Sequence, residues 1–138
     1  MTDYPDGTLR EILTSVGTIA VVGASDKEHR PVFRVMQFLQ SKGYRCIPVN
    51  PRLAGRTLLG ETVHAKLEDI PEPVDMVDVF RRAEDVPPIA DGAIAIGARV
   101  LWMQLGIVNE AAAEHATAAG LRVIMDRCPA IEIPRLGL

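Results

Sequence analysis

The sequence predicts an α/β fold, in which a doubly wound parallel sheet of five strands is flanked by helices. The chain has 138 residues, the commonest size for one domain, and no repeat or linker divides it, so we treat residues 1–138 as one domain. Its apolar runs are short and continuous rather than alternating, which is typical of strands buried on both faces of a parallel sheet. Helical patterns lie between these runs, as successive strand–helix–strand units require.

Five apolar runs are the predicted strands. None approaches the ~20 residues that a membrane-spanning helix needs. The predicted strands are Ile19–Val22, Cys46–Val49, Val74–Phe80, Val100–Met103 and Val123–Met125.

The segments between the strands carry helix start and stop signals. Pro31–Lys42 has an apolar stripe, with a proline at its start and a glycine directly after its end. Asn109 can cap the alanine-rich segment that follows it, which stops at Gly120. Shorter helical segments are predicted at Gly7–Ser15, at Pro87–Ile96 with both prolines in the first turn, and at Leu67–Ile70 within the irregular connection 51–73.

This alternation of strands and helices predicts a Rossmann-like fold, and we expect a flavodoxin-like or half-Rossmann strand order, written 3-2-1-4-5. In such sheets a ligand binds outside the carboxyl ends of the strands, near the switch point beside the first strand. The residues that follow each strand are therefore the candidates for a site.

Composition and charge narrow the classes of function. The formal net charge is −3, so non-specific attraction to nucleic acid or to an anionic membrane is not expected. The N-terminus has no basic segment followed by a long apolar one, so we expect no signal peptide. Cys46 and Cys128 lie far apart in the sequence, which argues against a disulfide framework and favours a cytoplasmic protein.

The loop after the first strand is the first candidate site. It reads Gly23-Ala24-Ser25-Asp26-Lys27-Glu28-His29-Arg30. Gly23 permits a tight turn and a close backbone approach, and the N–H groups at the start of the next helix attract an anion. Ser25 can donate its hydroxyl to a phosphate oxygen, while Lys27 or Arg30 adds charge. The alternative is a glycine that only ends the strand.

The second strand is followed by Asn50, Pro51 and Arg52. A NAD-binding domain usually carries a carboxylate at this point, which accepts hydrogen bonds from the ribose hydroxyls. That carboxylate is missing, as are two of the three fingerprint glycines, so the sequence argues against NAD. An amide followed by proline and arginine suits a base edge and a phosphorylated ribose, or forms only a turn.

The remaining strand ends add further polar groups. Of the adjacent Arg81 and Arg82, we expect one to reach a ligand; Gln104 either lines the crevice or caps the next helix. Asp126 and Arg127 are expected to pair with each other and fix the C-terminal tail. Basic residues that follow predicted strands indicate an electropositive crevice for a ligand with several phosphates. These residues are Lys27, Arg30, Arg52, Arg56, Arg81, Arg82 and Arg127.

Five stretches, in this order and spacing, resemble the small stand-alone CoA-binding proteins: TIAVVGAS, IPVNP, VDMVDVFRR, VLWMQLGI and VIMDRCP. The resemblance runs from about Leu9 to Leu136, and the domain is similar to the N-terminal domain of the succinyl-CoA synthetase α subunit. Because the chain ends soon after the fifth strand, we expect a binding module without the catalytic half of that enzyme.

The resemblance also implies which residues bind coenzyme A. Gly23, Ala24 and Ser25 would cradle the pyrophosphate, with Arg30 near it. The adenosine side would be lined by Val49, Asn50 and Pro51. The nucleotide would be bordered from the third strand by Val79, Phe80 and Arg81, and Gln104 would close the crevice.

No catalytic or metal-ligating set is recognisable in the sequence. His29, His64 and His115 fall in separate elements, and the Gly-x-Ser at the first loop lacks the second glycine of a nucleophile elbow. Cys128 follows a strand beside Arg127, whose charge would favour a thiolate. It is either a packed structural cysteine or a residue that forms a mixed disulfide with the CoA thiol; Cys46 is expected in the core.

Three functions stay open at this point. The first is a module that binds CoA or an acyl-CoA without catalysis of its own. The second is an NAD(P)-linked or acyl-CoA enzyme that needs a partner chain. The third is an interaction or regulatory protein whose crevice is vestigial. A protein partner or a homo-oligomer is compatible with the sequence.

Overall fold

A computed structural model describes residues 2–138. The elements, in chain order, are α1 (Asp6–Ser15), β1 (Thr18–Val22), α2 (Pro31–Ser41), β2 (Arg45–Val49), β3 (Thr57–Leu58), β4 (Glu61–Thr62), β5 (Met76–Val79), α3 (Val86–Ala95), β6 (Val100–Met103), α4 (Glu110–Ala118), β7 (Arg122–Ile124) and α5 (Pro129–Arg135). Two short 3₁₀ turns, Leu67–Asp69 and Ala83–Asp85, complete the set. Every predicted strand and helix is present within a few residues of its predicted bounds.

The five main strands form one parallel sheet with helices on both faces, which confirms the predicted α/β Rossmann-like fold. Side chains from α1, α2 and α5 pack in one apolar layer against the sheet, and those from α3 and α4 pack in the other. The three central strands, β1, β5 and β6, are almost entirely buried, because each face of the sheet is covered.

The strand order in the sheet is β2-β1-β5-β6-β7, so the predicted order 3-2-1-4-5 is wrong. Counted along the main sheet, the order is 2-1-3-4-5, so of the two expected arrangements the flavodoxin-like one is confirmed. The outer edge of β2 is covered by the connection that follows it. The His64 amide donates to the Pro48 carbonyl at 3.0 Å, and the Asn50 amide donates to the His64 carbonyl at 2.9 Å. With that edge occupied, β5 pairs with the other side of β1.

The C-terminal segment forms a helix, α5, which the sequence analysis left as a tail. The expected side-chain pair between Asp126 and Arg127 does not form. The Asp126 carboxylate accepts from the Gly106 amide at 2.7 Å, whereas the Arg127 guanidinium donates to the carbonyl oxygens of Asp126 and Thr2. Arg127 also lies 5.4 Å from the ring centroid of Tyr4, so it fixes the N-terminal segment instead.

Asp78 is a carboxyl group in the middle of the sheet. It lies on β5, opposite Val21 of β1 and Trp102 of β6, and its side chain is fully buried. Neither of its oxygens has a hydrogen-bond partner within residues 2–138, and no cation pairs with it there. Burial raises the pKa of Asp78 well above its ordinary value, because the charged form cannot be solvated.

Gly23 lies at the point where β1, β2 and β5 meet. Its amide donates to the Val49 carbonyl at 3.0 Å, and the Phe80 amide donates to the Val22 carbonyl at 2.8 Å. Its φ angle is +91°, in the region that favours glycine. A Cβ at this position would lie 2.4 Å from the Phe80 carbonyl oxygen, so the neighbouring backbone excludes any side chain.

We predict that Asp78→Asn stabilises the protein at neutral pH. The folded state holds the Asp78 proton more tightly than the unfolded chain does. Its contribution to stability is therefore complete below a pH of about 4 and declines as the pH rises towards the raised folded pKa. The amide has no such decline. Chemical denaturation measures the free energy of unfolding at each pH. Between about pH 4 and pH 8, this free energy should decrease less in Asp78→Asn than in the wild type.

Asp75→Asn is the matched control for that measurement. Burial alone would raise the pKa of Asp75, but hydrogen bonds from the Thr18 and Gly17 amides and the charge of Arg99 outweigh it and lower the pKa. Its contribution is present at neutral pH and is lost on acidification, so this variant should be destabilised mainly near pH 7. Parallel pH profiles for Asp78→Asn and the wild type would contradict the assignment of a buried protonated carboxyl.

We predict that Gly23→Ala destabilises the fold far more than Gly43→Ala. Both glycines have positive φ angles, +91° and +94°, so both substitutions carry the backbone strain of about 1–2 kcal/mol. Only Gly23 also meets the Phe80 carbonyl, whereas a Cβ at Gly43 meets nothing within 4 Å. We expect a total loss of about 3–5 kcal/mol at Gly23, measured by thermal or chemical unfolding. Equal losses of unfolding free energy in the two variants would show that the Phe80 carbonyl does not exclude a side chain at position 23.

Candidate functional site

A cleft of about 1170 Å³ opens at the carboxyl ends of β1, β2, β5 and β6. It lies at the switch point, because the sheet continues from β1 to β2 on one side and to β5 on the other. The structure brings together most of the predicted site residues on the walls of this cleft: Gly23, Ala24, Ser25, Lys27, Arg30, Asn50, Pro51, Phe80, Arg81 and Gln104.

Two predicted site residues lie elsewhere. Val79 is fully buried and lines no cavity described here, because alternation along β5 directs its side chain into the core formed with α3 and α4. Val49 lines a second, smaller cavity of about 490 Å³. This cavity shares Gly23, Asn50 and Arg81 with the cleft, so the two spaces are neighbours across the end of β1.

The backbone of the β1–α2 loop is held close to β2. The amides of Gly23 and Ala24 both donate to the Val49 carbonyl, at 3.0 and 3.3 Å. Ser25 Oγ accepts from the Lys27 amide at 3.1 Å, which leaves its own hydroxyl hydrogen available. Arg30 precedes α2 and provides no side-chain cap. Pro31 has no amide hydrogen and the Phe33 amide donates to the Arg30 carbonyl at 3.1 Å, so the Val32 amide is the first-turn donor that has no acceptor among the described residues. An uncapped helix start beside a glycine loop suits an anion.

Asn50 ties two loops together. Its Nδ2 donates to the Ala24 carbonyl at 2.7 Å, and its Oδ1 accepts from the Arg52 amide at 2.8 Å. The sequence analysis offered this amide as a contact for a base edge. In the structure both polar atoms of this amide bond to the backbone and join the loop after β1 to the turn after β2, and the residue also lines the cleft.

The cleft is cationic, although the protein carries a net charge of −3. Asp26 and Asp85 are its acidic lining residues, against five basic ones: Lys27, Arg30, Arg52, Arg81 and Arg82.

Part of this positive charge is already paired. Arg81 Nη2 and Arg82 Nε each lie 3.4 Å from Asp85 Oδ2. Desolvation would raise the pKa of Asp85, but the hydrogen bonds and charges of both arginines lower it. By contrast, Lys27, Arg30 and Arg52 form no ion pair with any described residue, so their charge is available to a ligand.

Two of the predicted cations do not line the cleft. Arg56 lies just outside it, and its guanidinium is 3.7 Å from the carboxylate of Asp26. Arg127 is directed towards Thr2 and Tyr4, on the opposite side of the C-terminal segment. The prediction of an electropositive crevice therefore depends on the loops after β1, β2 and β5 alone.

Gln104 lies at the floor of the cleft, where β6 ends. Its side chain is only 8% exposed, and its Oε1 has no hydrogen-bond donor within the described chain. Such a buried acceptor without a donor is costly, and a donor from a ligand would remove the cost. The sequence offered helix capping as the alternative, but the cap of α4 is Asn109, whose Oδ1 accepts from the Ala112 amide.

Cys128 is buried behind Gln104. Burial raises the pKa of its thiol, and the hydrogen bond from Gln104 and those of the Ala130 and Ile131 amides offset this only in part. Since Arg127 points away from it, the expected stabilisation of a thiolate is wrong. Burial also raises the pKa of Cys46 to about 12, as a core position implies. Both thiols are free and buried, and the raised pKa of each disfavours the thiolate that a mixed disulfide with the CoA thiol would need.

The histidines remain separate in the structure. His115 pairs with Asp91 at 2.9 Å on the surface, and His64 contributes its backbone to the edge of β2. Within residues 2–138, no group of three or more His, Cys, Asp and Glu side chains is placed to hold a metal ion. The helices in this part of the chain are all too short or too polar to cross a membrane.

Sequence reasoning missed the apolar part of the cleft. Leu53, Leu105 and Ile107 line it, and Asp85 is a further lining residue of the cleft that the sequence did not indicate. Leu105 and Ile107 follow Gln104 within three residues, so their position directly after a strand was the signal available.

Comparison with known proteins agrees with this geometry. A family model for the CoA binding domain matches residues 17–134. The uncharacterized protein YneT of Bacillus subtilis (strain 168) is 41% identical over 120 residues, which cover 87% of each chain. A hypothetical protein from Pyrococcus horikoshii OT3 has a TM-score of 0.94 and 36% identity, covering 100% of this chain and 96% of that one.

A more distant structure shows the fold alone. Acetyl-coenzyme A synthetase 1 of Ca. Korarchaeum cryptofilum, in its apo form, has a TM-score of 0.69 and 24% identity; the match covers 82% of this chain and 26% of that one. The family match over most of the chain and the close relative together establish that this chain belongs to the CoA-binding domain family.

Proposed function

We propose that this protein binds coenzyme A or a CoA thioester in the cleft, without catalysis of its own. The observation that carries the proposal is a set of cations around the start of α2 that have no ion-pair partner among the described residues: Lys27, Arg30 and Arg52. Coenzyme A carries a pyrophosphate and a phosphorylated ribose, and an uncapped helix start with free cations binds such groups. We treat residues 1–138 as one CoA-binding domain.

The residues at the switch point fit the phosphates. The Ser25 hydroxyl can donate to a phosphate oxygen, and the Arg30 guanidinium can bind two oxygens at once. Gly23 keeps the loop close to β5, so the first turn of α2 stays open to the cleft. Arg81 can also reach a phosphate once the ligand competes with Asp85 for it.

The adenosine is expected on the side of β2. Pro51 offers an apolar surface, and the smaller cavity beyond it is lined by Val22, Val49, Leu67 and Ile89. Lys66 and Glu68 at the rim provide polar groups for the base or the ribose. Asn50 holds these loops in register and acts as a positioning residue.

The pantetheine arm then runs in the opposite direction, towards β5 and β6. It contains amide N–H donors, and the Oε1 of Gln104 is a buried acceptor without a donor at that end of the cleft. Phe80, between the two ends, supplies apolar contact for the arm. The protein contributes binding and orientation, and we assign no reacting group to any side chain.

The two free thiols fit a reducing compartment, so we expect the protein in the cytoplasm.

Titration calorimetry of ligand-stripped protein with coenzyme A tests the proposal. We expect micromolar or tighter binding, and no comparable heat with NADH or ATP at the same concentration. Binding of NADH alone would instead favour a dinucleotide enzyme. Absence of heat with all three ligands would overturn the assignment of the cleft.

We predict that Arg30→Ala weakens coenzyme A binding by about 1–3 kcal/mol, the contribution of a charge-assisted hydrogen bond. The control is Arg34→Ala, which removes the same charge from an exposed position of α2 that does not line the cleft. The control should change the affinity by less than about 0.5 kcal/mol, and only at low salt. An equal effect of the two variants would show that Arg30 acts through long-range charge rather than contact.

A further inference from the structure

The chemistry of the cleft changes along its length. In the order of the sheet, its walls come from the ends of β2, β1, β5 and β6. Arg52 and Arg30 belong to the loops after β2 and β1, whereas the loop after β6 contributes Gln104, Leu105 and Ile107. A ligand with its phosphates at the β1 loop therefore has its far end over an apolar surface.

Leu105 is unusually exposed for its type. Among residues 2–138, the large apolar side chains that stand out as exposed are Leu105, Val108 and Ile131, and Leu105 is the most exposed, at 53%. Of these three, Leu105 lines the cleft. An exposed leucine alone needs no explanation, but this one adjoins a buried polar atom that lacks a partner.

The turn that carries Leu105 is held in place from both sides. The Ile107 amide donates to the Gln104 carbonyl at 2.9 Å, and the Gly106 amide donates to the Asp126 carboxylate at 2.7 Å. Asp126 itself has a φ angle of +58°, which directs its carboxylate towards this turn. Leu105 is thus presented by a fixed backbone, next to the Oε1 of Gln104.

A CoA arm whose amide donates to Gln104 ends beside Leu105. Free coenzyme A ends there in a thiol, which leaves the leucine in water. A thioester with an alkyl chain would cover the leucine and Ile107, with a gain in proportion to the apolar area removed from water.

We propose that the preferred ligand is a CoA thioester with an alkyl acyl chain, and that Leu105 and Ile107 form its acyl subsite. This inference rests on the proposed function, because it requires the phosphates to bind at the β1 loop. It assigns the discrimination between coenzyme A and its thioesters to the turn after β6.

The test is a calorimetric series with coenzyme A and its acetyl, butyryl and hexanoyl thioesters, all below the concentrations at which acyl-CoAs aggregate. For the wild type we expect affinity to rise by about threefold to fourfold per methylene group over this range. Leu105→Ser should reduce the rise to less than about twofold per methylene and leave the affinity for coenzyme A within about twofold of the wild type.

Ile131→Ser is the matched control, since Ile131 is similarly exposed but lies on α5, outside the cleft. It should retain the wild-type dependence on chain length. Equal affinity of the wild type for all four ligands would overturn the acyl subsite while leaving the proposed function intact, as would an unchanged rise in Leu105→Ser. Absence of binding to every member of the series would overturn both.

Discussion

The close approach of Gly23 to the Phe80 carbonyl is the constraint on which the rest of the site depends. At this point the chain leaves β1, and the backbones of β2 and β5 are within hydrogen-bond distance on either side. No side chain fits between them. The loop must therefore turn directly away from the sheet, which brings the start of α2 over the ends of the strands. The wall of the cleft that carries Ser25, Lys27 and Arg30 follows from this turn.

The charges of the cleft form two groups with different tasks. Arg81 and Arg82 share the one carboxylate of Asp85, so their net attraction for an anion is reduced until that contact breaks. Lys27, Arg30 and Arg52 have no such partner among the described residues. The first group can adjust to a ligand, whereas the second provides the attraction that brings it in. An acidic protein thereby keeps a local positive field where its ligand binds.

Much of the fold could be predicted from the sequence, because its determinants are local. Apolar runs located the strands, and Asn109 caps α4 as its position suggested. The strand order depended on the short hairpin of β3 and β4 and on His64, which cover the edge of β2; no local pattern indicates such a contact. The helix α5 was missed because its seven residues include two prolines, Pro129 and Pro134, of which one lies inside the helix.

The site itself was predicted in part. Residues directly after strands converge on the cleft because parallel strands end at one edge of the sheet. The direction of each side chain was not predictable at that stage. The sequence placed the end of the third main strand at Phe80, one residue beyond its end in the structure, and Val79 points into the core. Arg127 contacts the N-terminal segment, which is far from it in sequence. Asn50 forms two hydrogen bonds with the backbone, which a residue type alone does not reveal.

Trp102 gives this protein a built-in optical reporter. It is the one tryptophan of the chain, it is fully buried, and its indole Nε1 donates to the Arg127 carbonyl at 2.9 Å. It lies opposite Asp78 and two residues before Gln104. The fluorescence emission maximum of Trp102 should therefore lie at a shorter wavelength in the folded state than in the unfolded state. It should also shift when Asp78 ionises. A ligand that binds at the end of β6 should perturb the same fluorophore. Ligand binding, ionisation of Asp78 and unfolding can therefore all be followed by the fluorescence of Trp102 without an added label.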